Sequence, residues 1–341
     1  MKPAMNLNDI FGNCSHISCA MVATVALITA CSSNQLDFSG YPSTFIENEH
    51  VKMQIFPPDV EKGLYRSTRF DWSGVIMSAT YKGHDYFGYW KSTHDPLFHE
   101  DLAGPVEGYI ASGPGYDEAA PGEGFIRIGV GVVKKKDEPA YQWSGSYEIL
   151  EHGSWKTEQG KDWIKFVHIL ETDFGYSYVY MKKIRLKDDG FFIEHTLRNT
   201  GEKPLETDQF NHNFFMIDGE ESGPAFEISF PFEVSSDDDL KDYYLLEGNR
   251  LTIPRPMGEN GHFVKLKGFG PEVSDHRVTV LNKKCGAGVT FTADRPLYDL
   301  GFWCVASTLS PENSIWISVR PGQEERWTSE YSFFTESTKG K

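Results

Sequence analysis

Apolar and polar residues alternate at every second position through most of this chain, and that period restricts the fold to packed β-sheets. The segments Val51–Phe56, Ser73–Tyr81, Phe125–Val133, Trp163–Glu171, Tyr176–Leu186, Gly190–Asn199 and Ala225–Val234 are rich in β-branched and aromatic residues. So are Phe263–Gly268, His276–Asn282, Gly288–Ala293 and Ser314–Arg320. Side chains two apart in a strand share one face, so such segments bury one face and leave the other free. Asp188-Asp189-Gly190, between two of these segments, is a hairpin signal. Helical periodicity is confined to Glu233–Gly248, which predicts one short helix with acidic residues near its start. No interior linker separates two compositions. The expected fold is therefore one all-β domain, a large antiparallel β-sandwich over residues 47–336.

The ends read differently. Ile17 to Ala30 is apolar and too short to span a bilayer comfortably. It leads into Ile28-Thr29-Ala30-Cys31, followed by Ser32, Ser33 and Asn34. This run resembles a bacterial lipoprotein signal, in which a cysteine after small residues is acylated and becomes the new N-terminus. The expectation is a signal peptide over 1–30, lipidation at Cys31 and a polar tether over 31–46. The protein is then held in the bacterial cell envelope by a membrane-inserted lipid anchor, at the outer membrane. Cys285 and Cys304 remain in the domain, as an envelope disulfide if Ala293–Pro296 turns a hairpin, or as buried free thiols.

The formal net charge of −16 argues against nucleic acid as a partner. The longest basic run, Lys134-Lys135-Lys136, is answered by Asp137 and Glu138. No cofactor motif emerges: Gly129 and Gly131 lie in a strand segment with no helix after them, so they form no phosphate loop. His84, His94, His99, Glu100, Asp101 and Glu107 crowd into Gly83–Gly124, a long segment with little alternation. Such segments are usually functional. Their spacing matches no metal-ligand pattern, and no metal is expected.

The most informative stretch is Glu206–Gly219, where His212 stands between Asn211 and Asn213 and precedes Phe214 and Phe215. Alternation puts Phe210, His212 and Phe214 on one face and Asn211 and Asn213 on the other. This stretch resembles the histidine-bearing strand of galactose mutarotases (aldose 1-epimerases). Arg320–Phe333 is similar to that family's closing strands, and Leu64–His84 to its N-terminal strands. The resemblance implies a galactose mutarotase-like β-supersandwich and a carbohydrate substrate. It also implies a general-acid role for His212 and a substrate-binding arginine at Arg69, with Arg66 the second choice; Asn211 and Trp303 are further candidates for substrate contact. A hydrogen-bonded core histidine is the alternative for His212, and salt bridging for the arginines.

The family's catalytic glutamate has no obvious counterpart. The first carboxylate in the corresponding region is Glu312, which follows Ser310-Pro311 and reads as a loop residue, so Glu107 becomes the expected base. Trp143, Trp155 and Trp303 are each either stacking platforms for a sugar or core residues. The implied activity is aldose 1-epimerase chemistry on a sugar ring. A polysaccharide lyase or other sugar-modifying enzyme on the same scaffold, and a non-catalytic glycan-binding lipoprotein, are the alternatives.

Overall fold

The computed structural model describes residues 36–109 and 111–336. The expected signal peptide and Cys31 lie outside the described residues. Among those described, no helix is long and apolar enough to cross a membrane.

The alternating segments form antiparallel strands in two principal sheets. The larger has ten strands, from Leu245–Glu247 at one edge to Ser154–Gln159 at the other. Its centre pairs Glu324–Thr335 with Gly190–Asn199, which pairs in turn with Tyr178–Lys187. The expected hairpin is present, with Lys187 opposite Gly190. Gly190 is required there, because a side chain would collide with the backbone carbonyl of Tyr331.

The second sheet has five strands, in the order His262–Lys265, Asp299–Val305, Thr308–Val319, Leu205–His212 and Val106–Gly108. Its inner face packs on the larger sheet. Leu300, Phe302, Cys304 and Leu309 share one buried cluster with Ile184, Phe191, Ile193 and Phe333. Ile315 and Ile317 share another with Tyr178, Tyr180 and Leu197. The outer face is covered by Phe70 at Phe210 and open at Phe263 and Trp316.

Three expectations are corrected. Residues 36–46 belong to the folded unit instead of a tether: Thr44–Glu47 is a strand, and Phe38 and Tyr41 pack beside Phe56 and Tyr89. Glu233–Gly248 forms turns and a short strand, Leu245–Glu247, instead of a helix. Side chains take the local donors there, with Ser236 Oγ accepting from Asp238 N–H and Asp239 Oδ1 from Lys241 N–H. Such bonds compete with helix formation. Third, Ala293–Pro296 carries the chain from one sheet to the other instead of turning a hairpin, and Cys285 and Cys304 are both free.

The sheets are also joined by buried charge. Lys182, on the larger sheet, bonds Glu107, on the smaller, and lies 3.7 Å from Asp71. His195 Nε2 is 3.3 Å from the other oxygen of Glu107. Burial opposes ionisation of Glu107, but Lys182 and His195 outweigh it and hold its carboxyl below the ordinary range. Tyr180 donates to Asp71 at 3.0 Å. Removing one member strands the others in a dry interior. Lys182→Met is expected to cost about 3–5 kcal/mol of stability in equilibrium denaturation. An unchanged denaturation midpoint would show that Glu107 and Asp71 need no buried cation.

Candidate functional site

The open face of the five-stranded sheet is the floor of a cleft of about 570 Å³. Register decides which residues reach it. His212 is directly opposite Glu312, which is opposite Gly301. Residues facing each other across an antiparallel pair point to the same side. One step along the strands, Phe210 and Ser314 form the next row, and beyond it Asp208 is opposite Trp316. The walls are Arg69, Glu100, Tyr109 and Trp143 on one side and Phe263, Lys265, Tyr298, Asp299 and Trp303 on the other.

His212 and Glu312 form the polar centre, with Nε2 and Oε1 3.2 Å apart. The imidazole is held by aromatic rings. Phe214 stacks on it at 3.8 Å between centroids, and Trp303 and Phe70 meet it edge-on at 5.2 and 5.7 Å. Phe214 can fold back beneath His212 because its φ is positive, at 44°, which is uncommon for a bulky residue. Burial, reinforced by the Arg69 charge, pushes His212 well below its ordinary pKa. Burial pushes Glu312 up to about 7, with Arg69 opposing the shift. Both groups are therefore tuned to resist charge. The Arg69 guanidinium lies 4.2 Å from the Trp143 ring centre, 4.6 Å from that of Phe70 and 3.9 Å from Glu100. These contacts fix Arg69 in the cleft wall.

His212, Arg69 and Trp303 thus meet in one cleft, and Trp143 joins them. Glu107, Asn211 and Arg66 do not. Glu107 is opposite Asn211 in the register, one residue out of step with His212, so both point into the interior. Glu107 is consumed by Lys182 and His195, and Asn211 Nδ2 is 3.4 Å from Tyr331 Oη on the larger sheet. Arg66 lies outside the cleft lining, its backbone N–H bonded to Pro96 O. Trp155 is a packing residue, stacked on His168 at 4.1 Å.

Glu312 is the residue that sequence reasoning misplaced. Ser310-Pro311 looks like a turn, yet both lie in the twelve-residue strand Thr308–Val319, between two neighbours. A proline there lacks a ladder donor. Asn213 holds this part of the strand: its Nδ2 donates to Pro311 O at 2.6 Å, and its backbone N–H donates to Ser310 Oγ at 2.8 Å. Extending the two-residue period of Ser314–Val319 backward would have placed Glu312 on the face of Trp316.

Elsewhere, His84, Asp218 and Cys285 bring potential ligand atoms within 4.8 Å of one another. None of them lines the cleft, and His84 and Asp218 already pair at 2.7 Å.

No protein-family model matches the sequence, and no curated protein does. Solved structures do resemble the fold. A galactose mutarotase-like protein from Clostridium acetobutylicum superposes with a TM-score of 0.54 at 10% identity, over 89% of this chain and 98% of its own. An aldose epimerase homologue from C. elegans gives 0.52 at 12%, over 87% and 100%. A galactose mutarotase-like protein from Lactobacillus casei gives 0.51 at 12%, over 86% and 100%. At such identities the likeness is one of architecture: the chain has the galactose mutarotase-like β-sandwich fold.

Proposed function

We propose that the protein is a carbohydrate-active enzyme that interconverts the anomers of a sugar, using His212 and Glu312 as its acid–base pair. The observation that carries this reading is the 3.2 Å contact between the two groups on the floor of an aromatic cleft. Opening a sugar ring requires a proton delivered to the ring oxygen and another removed from the anomeric hydroxyl. A pair that shares one proton can do both. The buried imidazole resists protonation and the carboxyl resists ionisation, so below about pH 7 the shared proton rests on Glu312. Glu312 then donates to the ring oxygen while neutral His212 takes the hydroxyl proton. The bond from C1 to the ring oxygen breaks and an aldehyde forms. Rotation about C1–C2 presents its other face, and reclosure reverses both transfers. This inverts the acid role that the family resemblance implies for His212 and gives the base position of Glu107 to another residue. Arg69 sits beside the pair, placed to hold a sugar hydroxyl.

The lyase alternative needs cations to neutralise a uronate. Glu100, Asp208 and Asp299 outnumber Arg69 and Lys265 in the cleft, which disfavours an anionic polymer. The lipoprotein reading remains part of the proposal, resting on the Ile-Thr-Ala-Cys run alone. Cys31→Ala should move the protein from the membrane fraction to the soluble one. If the variant fractionates as the wild type does, the anchor is not at Cys31.

Removing an acid–base partner typically costs ~100- to 10,000-fold in rate. His212→Asn and Glu312→Gln should each lower mutarotation of a free aldose, followed by polarimetry, by that order. Glu107→Gln should lower stability instead, with turnover per folded molecule kept. Turnover unaffected in the first two variants would refute the assignment, and binding without turnover in the wild type would leave a glycan-binding protein.

The pH profile supplies a separate check. The active pair carries one proton. It loses that proton as pH rises through about 7, the Glu312 value, and gains a second only as pH falls to the depressed value of His212. The rate should therefore fall above about pH 7 and hold well below pH 6.5. A rate that climbs from pH 6 to pH 8 would contradict the one-proton pair.

A further inference from the structure

The cleft continues past the acid–base pair, and its far end has a different character. Glu312 and Trp316 are on one strand and one face, four residues apart, which separates them by ~13 Å along the sheet. A single pyranose ring held at Glu312 does not reach that far. At the far end Tyr298 and Trp316 form an aromatic pair with centroids 5.3 Å apart. They are 56% and 47% exposed, against 2% for His212. Large aromatics left open on the face of a cleft are unpaid apolar surface unless something covers them. Polar groups surround this pair. Asp299, which accepts from Lys265 at 2.5 Å, is next to Tyr298 in the chain, and Asp208 is opposite Trp316. A flat apolar surface bordered by donors and acceptors matches a pyranose, whose axial C–H bonds form an apolar face and whose hydroxyls project around the edge. With Asp299 paired to Lys265 and Asp208 beside them, this end has no excess of positive charge to attract an anionic chain.

We infer that Tyr298 and Trp316 form a second sugar subsite, so that the substrate is the reducing end of a neutral oligosaccharide instead of a free monosaccharide. The inference rests on the reading of His212 and Glu312 as the acid–base centre. The reducing ring lies over that contacting pair, and the next ring along the chain stacks on Trp316. No new bond is made or broken at this subsite. It holds the second ring while the first one opens.

The test compares single and linked rings. Isothermal titration of the wild type with glucose and galactose, and with the neutral reducing disaccharides cellobiose, maltose and lactose, measures binding independently of turnover. At least one disaccharide should bind about tenfold or more tightly than its monosaccharide, and Trp316→Ala should collapse that ratio toward unity. Tyr298→Ala, at a more exposed position, should reduce it in the same direction if Trp316→Ala proves unstable by thermal melting. Polarimetry on the same sugars separates the two readings. Preference for a disaccharide without mutarotation would keep the subsite and remove the epimerase reading. Mutarotation with no disaccharide preference would do the reverse. Equal binding of single and linked rings, no sugar binding at all, or a ratio untouched in both variants would overturn the subsite.

Discussion

The two-residue period of the five-stranded sheet is the constraint on which the site depends. Every side chain in the cleft floor arrives there by strand parity. His212 and Glu312 share a row because the Leu205–His212 and Thr308–Val319 strands are in register. Glu107 is one residue out of phase with that row and lies in the interior with Asn211. A shift of one position in either strand would exchange the faces, delivering Asn211 or Asn313 to the cleft and burying the acid–base pair. Register is therefore a functional quantity here as well as a folding one.

The interior carboxylate has its own place in this arrangement. Glu107 ties the floor of the cleft to the larger sheet through Lys182, with His195 and Asp71 closing the group. Ionic groups at such depth cost desolvation, and they satisfy it only in one alignment of the two sheets. The hydrophobic contacts between Ile315, Ile317 and Leu197 are less directional. In this division, apolar packing supplies adhesion and the buried charges select the alignment that sets the cleft floor over its support.

Much of the architecture was legible because alternation is a direct imprint of sheet geometry. The Tyr178–Lys187 and Gly190–Asn199 hairpin followed from a short turn motif. What escaped was decided at a distance. Pro311 is a turn signal locally, yet it lies inside a central strand, where the side-chain amide of Asn213 donates to its carbonyl. That bond spans nearly a hundred residues of sequence. The acidic run before Leu245 mimics a helix start, yet its own side chains bond the backbone in turns. The second cleft wall is similar: Tyr298, Asp299 and Lys265 acquire meaning only once the strands that carry them lie side by side.

Trp303 touches the imidazole edge-on, Trp143 covers the Arg69 guanidinium and Trp316 stands open at the far end. Three of the chain's eight indoles therefore occupy one cleft, each beside a different chemical group. Indole emission responds to a neighbouring protonated imidazole, to displacement of a cation and to exclusion of water. The molecule thus carries its own optical reporters: Trp303 for the protonation of His212, Trp143 for movement of Arg69, and Trp316 for coverage of the outer cleft. In variants that keep one of these three indoles and replace the other seven, emission follows occupancy and proton position without an added label.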